Sequence, residues 1–302
     1  MNFVIVTTGS GNSYAKKIAR SISWINEHHF KGSEFNTTIL SVSDVSKLEK
    51  FNKDNTIIHA RAAHPYAGWM RVLRGVEARG YRVINRTSVL TLTSNKLNCS
   101  LSLQDEFPHP ITWEANGSNL EETCSIALRT LVGDRLIVKP ITSMEQGARV
   151  SRFNVNATSL DTLIKAVNAF PDNRAILQEY VDYVKLHRVI VIDGEALPYS
   201  FVDDINYHSS SDWKLSVCLN KKTMVFESNP NKNLLKLAED VQTFINGEIN
   251  FIDIFETKKG DFVIGEINTA CNLSIHEKLA KDAGRADWNI HYRIARYLTR
   301  QI

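Results

Sequence analysis

The stretch Asn250–Asn268, NFIDIFETKKGDFVIGEIN, constrains the fold more than any other part of the chain. Ile249–Glu256 is rich in β-branched and aromatic residues, Thr257–Gly260 is a polar turn ending in glycine, and Asp261–Asn268 is apolar again, so the spacing predicts two strands joined as a hairpin. Three metal-capable oxygen side chains sit inside it: Asp253, Glu266 and Asn268. Glu266 and Asn268 are two apart on one strand and share a face. A simple hairpin pairs Glu256 with Asp261 and sets Asp253 opposite Ile264, which makes Asp253 a diagonal neighbour of Glu266, about 7–8 Å away at Cα. One or two ions can bridge that span, and two carboxylates with an amide oxygen are hard ligands suited to Mg²⁺. Ordinary surface acids on a half-exposed hairpin are the alternative. Against it, Asp253 stands between Ile252 and Ile254 in a run that reads as buried, where an unpaired carboxylate is costly.

The chain of 302 residues is long enough for one large domain or two to three small ones. A net charge of +3 carries no signal for nucleic acid or membrane. Cys99, Cys124, Cys218 and Cys271 are widely spaced with no CxxC pair, which argues against zinc or a disulfide framework and fits a cytoplasmic, reducing setting. No signal peptide precedes the first strand, and no apolar run is long enough to cross a membrane.

From the start, Phe3–Thr7 reads as a strand, Gly9-Ser-Gly11 as a turn and Tyr14–Glu27 as a helix. That order opens dinucleotide folds, but Tyr14 holds the place of the third glycine, so a plain strand-to-helix turn and a substrate contact both remain open. Thr37–Ser41 and Thr56–Ala60 read as the next strands, with a short helix over Asp44–Asn52, and this alternation predicts a small parallel α/β domain. His59-Ala-Arg61-Ala-Ala-His64 follows at a strand end, where ligands of open α/β sheets gather. Arg61 there is a candidate to grip a substrate carboxylate, or else a loop-bridging arginine. Tyr66–Arg79 reads as a helix ended by Gly80, and Tyr81–Asn85 as another strand.

Gly80-Tyr-Arg-Val-Ile-Asn85, Thr93-Ser-Asn-Lys96 and Phe107-Pro-His-Pro110-Ile-Thr112 together resemble the ATP-grasp ligases, most closely their RimK-type branch of ribosomal-protein modification and glutamate ligases. The similarity covers most of the chain and is weakest before about residue 55. In that family a strand ending in Asn leads to a helix carrying Asp-Lys and a loop of the form ϕPxPxT. Asn95 replaces the Asp here, and Lys96 is in place. Lys139, at the end of Arg135-Leu-Ile-Val, must reach solvent or something anionic, and the resemblance implies that Lys96 and Lys139 contact ATP phosphates. Ser143–Val150 occupies the place of the glycine-rich lid. Gln146 and Gly147 are kept, while Met144 and Arg149 stand where small residues or glycine are usual. Arg149 supplies a charge to substrate phosphates or marks a stiffer, displaced lid.

Gln178-Glu179-Tyr180-Val181 resembles the family's QEY(I/V) segment, whose backbone reads adenine and whose glutamate binds ribose. Arg188 matches the arginine of the DxR motif, with Leu186 in place of its acid. Asp182 substitutes only if the loop folds back. Ser211–Leu219 aligns with (F/W)RxNxHRGG, with Lys214 standing for arginine, a change that loosens anion recognition. Asp253, Glu266 and Asn268 match the two-magnesium triad, and Thr269-Ala-Cys-Asn272-Leu273 replaces the usual xSPGx on the acceptor side. Trp288–Arg300 reads as a terminal helix with a solvated basic face.

The resemblance implies an α/β ATP-grasp fold divided as 1–90 (N-terminal parallel α/β), 91–175 (central, with the lid) and 176–302 (C-terminal, with the metal site). It also implies ATP with Mg²⁺, two ions or Mn²⁺ in their place, and ligation of a carboxylate to an amine through an acylphosphate. Arg188, Lys139 and Lys214 would stabilise the oxyanions, and Arg61, Arg149 and Asn272 would face substrate. The implied partners are an amino acid and a peptide, protein or small amine, and a homo-oligomer is compatible with this. A non-catalytic ATP-binding regulatory module with a degenerate lid stays open as the other reading.

Overall fold

The computed structural model describes residues 1–7, 12–30, 35–61, 67–131, 133–142, 149–207, 224–271, 273–285 and 289–302. The first ninety residues build a four-stranded parallel sheet from β1 (Asn2–Thr7), β2 (Asn36–Ser41), β3 (Thr56–Arg61) and β4 (Arg82–Ile84), in the order β2-β1-β3-β4. The near-continuous apolar runs of β1 and β3 are buried on both faces, as parallel strands between two layers require. One face packs on α1 (Ser13–His29) through Phe3, Ile5, Ile18 and Ile22. The other packs on α2 (Ala67–Ala78) through Val4, Val6 and Leu73. The helix expected over Asp44–Asn52 is a 3-10 segment, Val42–Lys50, which buries Val45 and Leu48.

Two short helices follow, α3 (Thr87–Ser94) and α4 (Lys96–Leu103), parted at Asn95. The Asn95 side chain caps α4 by accepting from the Asn98 N–H, a role asparagine and aspartate fill equally well. The central sheet is antiparallel, β5-β8-β6-β7, from β5 (Thr112–Ala115), β6 (Arg135–Lys139), β7 (Ser151–Asn154) and β8 (Ala175–Glu179). Its outer face is covered by α5 (Leu120–Thr130) and α6 (Leu160–Asn168). β8 pairs with β5 and β6, so the central sheet extends to Glu179. Cys99 and Leu103 of α4 pack under the C-terminal sheet.

The C-terminal sheet, β11-β10-β9-β12-β13, comprises β9 (Tyr183–Ile192), β10 (Glu195–Asp204), β11 (Met224–Glu227), β12 (Ile249–Thr257) and β13 (Phe262–Asn268). β9 turns into β10 over Asp193-Gly194, both at positive φ, the pair a tight primed hairpin turn needs. Its back face packs on α7 (Lys232–Phe244), α3 and α4. At one end its front face joins the N-terminal sheet and α9 (Ile290–Thr299) through Ile190, Phe201, Phe251 and Ile294. α9 buries Ile290, Ile294, Tyr297 and Leu298 against this surface and keeps Arg296 and Arg300 exposed on its basic outer face. Asn85 ties the two units. Its Nδ2 donates to the Ile249 carbonyl at 2.7 Å, and its Oδ1 accepts from the N–H groups of Glu248 and Ile249 at 2.8 Å each. Among the described residues no helix is long and apolar enough to cross a membrane.

Candidate functional site

The hairpin of β12 and β13 is displaced by two residues from the simple register: the turn is one residue longer, so Glu256 meets Phe262 instead of Asp261, and a bulge adds a second. Glu256 pairs with Phe262, Ile254 with Ile264, and Asp253 with Glu266, so the register shifts at Gly265. The expected partner of Asp253, Ile264, is thus corrected to Glu266, and the two acids stand directly opposite rather than diagonally. A bulge of this kind adds a residue to one strand and re-aims its neighbours. Glycine is required there, because a Cβ at position 265 would lie 2.8 Å from the Phe255 ring and 3.3 Å from the Asp253 carbonyl oxygen.

Across the other edge of β12, Asp253 is in register with Arg188. Arg188, Asp253 and Glu266 therefore form one row across three strands. Arg188 Nε donates to Asp253 Oδ1 and Nη2 to Oδ2, both at 2.7 Å. At the far end Lys96 Nζ lies 3.1 Å from Glu266 Oε1. Lys96 is held by its own backbone, whose N–H donates to the Ile141 carbonyl at 2.8 Å, just beyond β6. Lys139 comes from the central sheet and donates to Gln178 Oε1 at 2.7 Å, and Gln178 Nε2 donates to Thr112 Oγ1 at 2.8 Å. Gln178 thus positions Lys139. Sequence reasoning assigned it to the nucleotide and missed this relay, which becomes visible only once β5, β8 and β6 are paired.

Charge follows from this packing. Burial pushes the Glu266 carboxyl up, yet Lys96 and Lys139 outweigh it and hold it below the ordinary range. Burial raises Asp253, with Arg188 opposing and Glu266 adding to the rise. Burial, reinforced by Lys96, brings the Lys139 ammonium down to about 8. Among the described residues no group of three or more His, Cys, Asp and Glu gathers as a metal cluster, and the acids here come as a pair. Asn268, two residues past Glu266 on β13, adds an amide oxygen on the same face. Each Asp253 oxygen that accepts from Arg188 keeps a further lone pair. The donor set of Asp253, Glu266 and Asn268 accordingly fits a hard divalent cation.

The row has apolar surface on both sides. Along β9 and β12, Ile190 and Phe251 lie on the side of the N-terminal sheet, and Leu186 and Phe255 on the side of the central sheet. Leu186 and Phe255 belong to a cluster with Ile137, Tyr180, Tyr183 and Val181, in which Tyr183 stacks on Phe255 at 4.5 Å. Arg135 covers the Tyr180 ring at 4.4 Å. The N–H groups of Glu179 and Tyr180 are already used, donating to the Ile111 and Arg135 carbonyls. The Glu179 side chain is half-buried beside Gly133. Leu186 is buried in the apolar cluster, and Asp182 does not fold back toward Arg188: it pairs with Arg135 at 3.3 Å and Lys258 at 3.6 Å, and Asp253 is the acid that serves Arg188. Arg149 is exposed at φ 60°, the left-handed region that favours glycine, at a position where glycine or a small residue was expected. Gln146, Gly147, Met144, Lys214, Asn272, His64, Gly9 and Gly11 lie outside the described residues.

The profile of the prokaryotic glutathione synthetase ATP-grasp domain matches residues 122–211. No curated protein sequence matches the chain. Among solved structures, the D-cycloserine synthetase DcsG superposes with a TM-score of 0.68 at 12% identity, covering 98% of each chain. The macrocyclase MdnC from Microcystis aeruginosa MRC, bound with its precursor peptide MdnA, gives 0.67 at 12% identity, covering 99% of this chain and 100% of that one. The D-alanine–D-alanine ligase from Bacillus anthracis gives 0.63 at 15% identity, covering 98% and 95%. The chain has the ATP-grasp fold, with a parallel N-terminal sheet and two antiparallel sheets facing each other across the charged row.

Proposed function

We propose that the chain is an ATP-dependent carboxylate–amine ligase of the RimK type, acting in the cytoplasm. The observation that carries this reading is the row Arg188–Asp253–Glu266–Lys96, joined by Lys139 and bounded on each side by apolar surface. Two acids among three bases suit a triphosphate with its divalent cations. The phosphates lie along the row, contacted by Lys96 and Lys139. The adenine lies against Ile137, Tyr180, Val181 and Phe255, with Glu179 at the ribose. The substrates approach from the N-terminal sheet. Asp253, Glu266 and Asn268 would hold magnesium, which when bound neutralises charge on the transferred phosphoryl group.

A substrate carboxylate attacks the γ-phosphorus, forming an acylphosphate and releasing ADP. An amine then attacks the acyl carbon and phosphate leaves with the former carboxylate oxygen. Arg188 and Lys139 stabilise the oxygens on which charge develops. No protein nucleophile is needed. The amine partner is an amino acid, peptide, protein or small amine, and the peptide-bound state of MdnC supports the peptide class.

The test is Mg²⁺-dependent ADP formation with pooled amino acids, with and without peptide-rich extract, beside Glu266→Ala. Turnover that needs both a pool and Glu266 supports the ligase. One observation favours the regulatory module instead: Asp253 and Glu266 are each already paired with a basic side chain. Nucleotide binding without turnover on any pool would select that reading.

A further inference from the structure

Thr7 and Arg61 end β1 and β3 and lie opposite each other in register, at the carboxyl end of the parallel sheet. Each leaves a buried polar atom without a hydrogen bond among the described residues, Oγ1 of Thr7 and Nε of Arg61. The Arg61 guanidinium rests on the Tyr14 ring, 3.4 Å from its centroid. Tyr14 is not a counter-charge. His59 Nδ1 faces the Ile84 carbonyl at 3.2 Å and must donate to it, so its Nε2 accepts from the Tyr14 hydroxyl at 3.0 Å. Burial pushes the phenol up to about 12 and the imidazole down to about 4, so both are neutral.

Among the described residues no carboxylate pairs with Arg61. Glu277 is engaged by Lys17 and His291. The flanking segments 8–11 and 62–66 contain no acidic residue. Arginine keeps its charge at any physiological pH, and Arg61, partly exposed but with its Nε buried, rests on a neutral ring with no carboxylate beside it among the described residues. Two orphaned groups at one point of a sheet's carboxyl end call for a ligand. A carboxylate satisfies both, accepting from the guanidinium fork and from the threonine hydroxyl.

The point is also close to the charged row. Cys271 shares the apolar cluster of Tyr14, the ring on which Arg61 rests. Cys271 stands three residues past Asn268, a span of at most about 11 Å. We propose that Thr7 and Arg61 hold a carboxylate of the ligase's substrate that is not the group consumed, so that the chain takes an amino acid or peptide bearing a second acid. This rests on the ligase reading above and adds the substrate class to it.

Thermal unfolding of the full chain tests it with succinate, succinamide and inorganic phosphate at matched ionic strength. Succinate should raise the wild-type Tm by about 2 °C or more, while succinamide, of similar shape without charge, should not and phosphate should do less. Arg61→Leu and Thr7→Val should lose the succinate shift. Without ligand, Arg61→Leu should melt no lower than wild type, because it removes a partly buried charge that no described carboxylate pairs with. The proposal fails if succinate leaves the wild type unmoved, shifts Arg61→Leu equally, or is matched by phosphate, the last assigning the point to a phosphoryl group. A markedly lower Tm of unliganded Arg61→Leu also overturns it, since that reports a structural arginine. Binding of magnesium with a non-hydrolysable ATP analogue by the wild type reads the ligase proposal separately. Its absence sinks that proposal, and the carboxylate point is then judged on succinate alone.

Discussion

Arg188 grips both oxygens of Asp253, Nε to Oδ1 and Nη2 to Oδ2, while the side chains are only 5% and 11% exposed. Breaking such a pair by removing one member takes two charge-assisted hydrogen bonds from a poorly solvated charge, which costs about 3–5 kcal/mol. Lys96 and Glu266, in contrast, are 17% and 33% exposed, and water solvates either one left alone. Asp253→Ala should therefore lower the urea-unfolding free energy by about 3–5 kcal/mol, and Glu266→Ala by about 1 kcal/mol or less. Both should abolish ADP formation. Equal stability losses would show that the Arg188–Asp253 pair is not the better buried of the two.

Gly265 sets the register that brings Asp253 opposite Glu266. A Cβ there meets the edge of the Phe255 ring at 2.8 Å and the Asp253 carbonyl at 3.3 Å. The ring belongs to the cluster beside the charged row and is stacked on Tyr183, so it cannot swing freely. Gly265→Ala should cost about 1–3 kcal/mol in chemical denaturation. It should also weaken nucleotide binding. A neutral Gly265→Ala variant with unchanged nucleotide affinity would mean that the ring relaxes without moving the acids.

Lys139 gives a pH signature. Burial and Lys96 hold its ammonium at about 8 in the folded chain, against 10.5 for the ordinary side chain. The unfolded chain then binds more protons between those values, so this group adds stability as pH rises from about 8 toward 10.5. Nucleotide binding runs the other way. Phosphates favour the charged form, so affinity for the magnesium–ATP analogue should be greatest below about pH 8. It should fall above that, by at most about tenfold per pH unit from this group. Lys139→Arg keeps its charge throughout and should flatten the profile in isothermal titration. A wild-type profile that is already flat from pH 7 to 10 would remove Lys139 from the phosphate contacts.

Much of this architecture is written in local pattern. The parallel domain follows from apolar strands alternating with a helix-period run over Ser13–His29, and the hairpin from β-branched residues on either side of a glycine turn. The register of that hairpin was legible in principle, because an isolated glycine inside a strand marks a bulge. The bulge accounts for one of the two residues by which Asp253 is displaced, and the longer turn, which pairs Glu256 with Phe262 instead of Asp261, accounts for the other. Other features depend on pairing between distant segments, which periodicity does not encode. Arg188 meets Asp253 across 65 positions, and Gln178 meets Thr112 across 66. Thr7 drew no attention as a polar group at a strand end, because its significance lies in the company of Arg61 on a strand more than fifty residues away.

His59 supplies the last expectation. It is 2% exposed, donates to the Ile84 carbonyl and accepts from Tyr14, and burial brings it down to about 4 from 6.5. The unfolded chain takes up a proton on this residue as pH falls below about 6.5, and the folded chain does so only near 4. Stability present above 6.5 is thus lost progressively as pH falls between those values, at up to about 1.4 kcal/mol per pH unit for one proton. His291, 2% exposed and also brought down to about 4 mainly by burial, acts with the same sign. His59→Gln keeps a donor for Ile84 and an acceptor for Tyr14 but does not titrate. Urea unfolding from pH 7 to 4 should therefore show a shallower loss for the variant, by up to one proton's worth of slope. Parallel curves would mean that His59 protonates in the folded chain without cost, and that the core beneath Arg61 admits water.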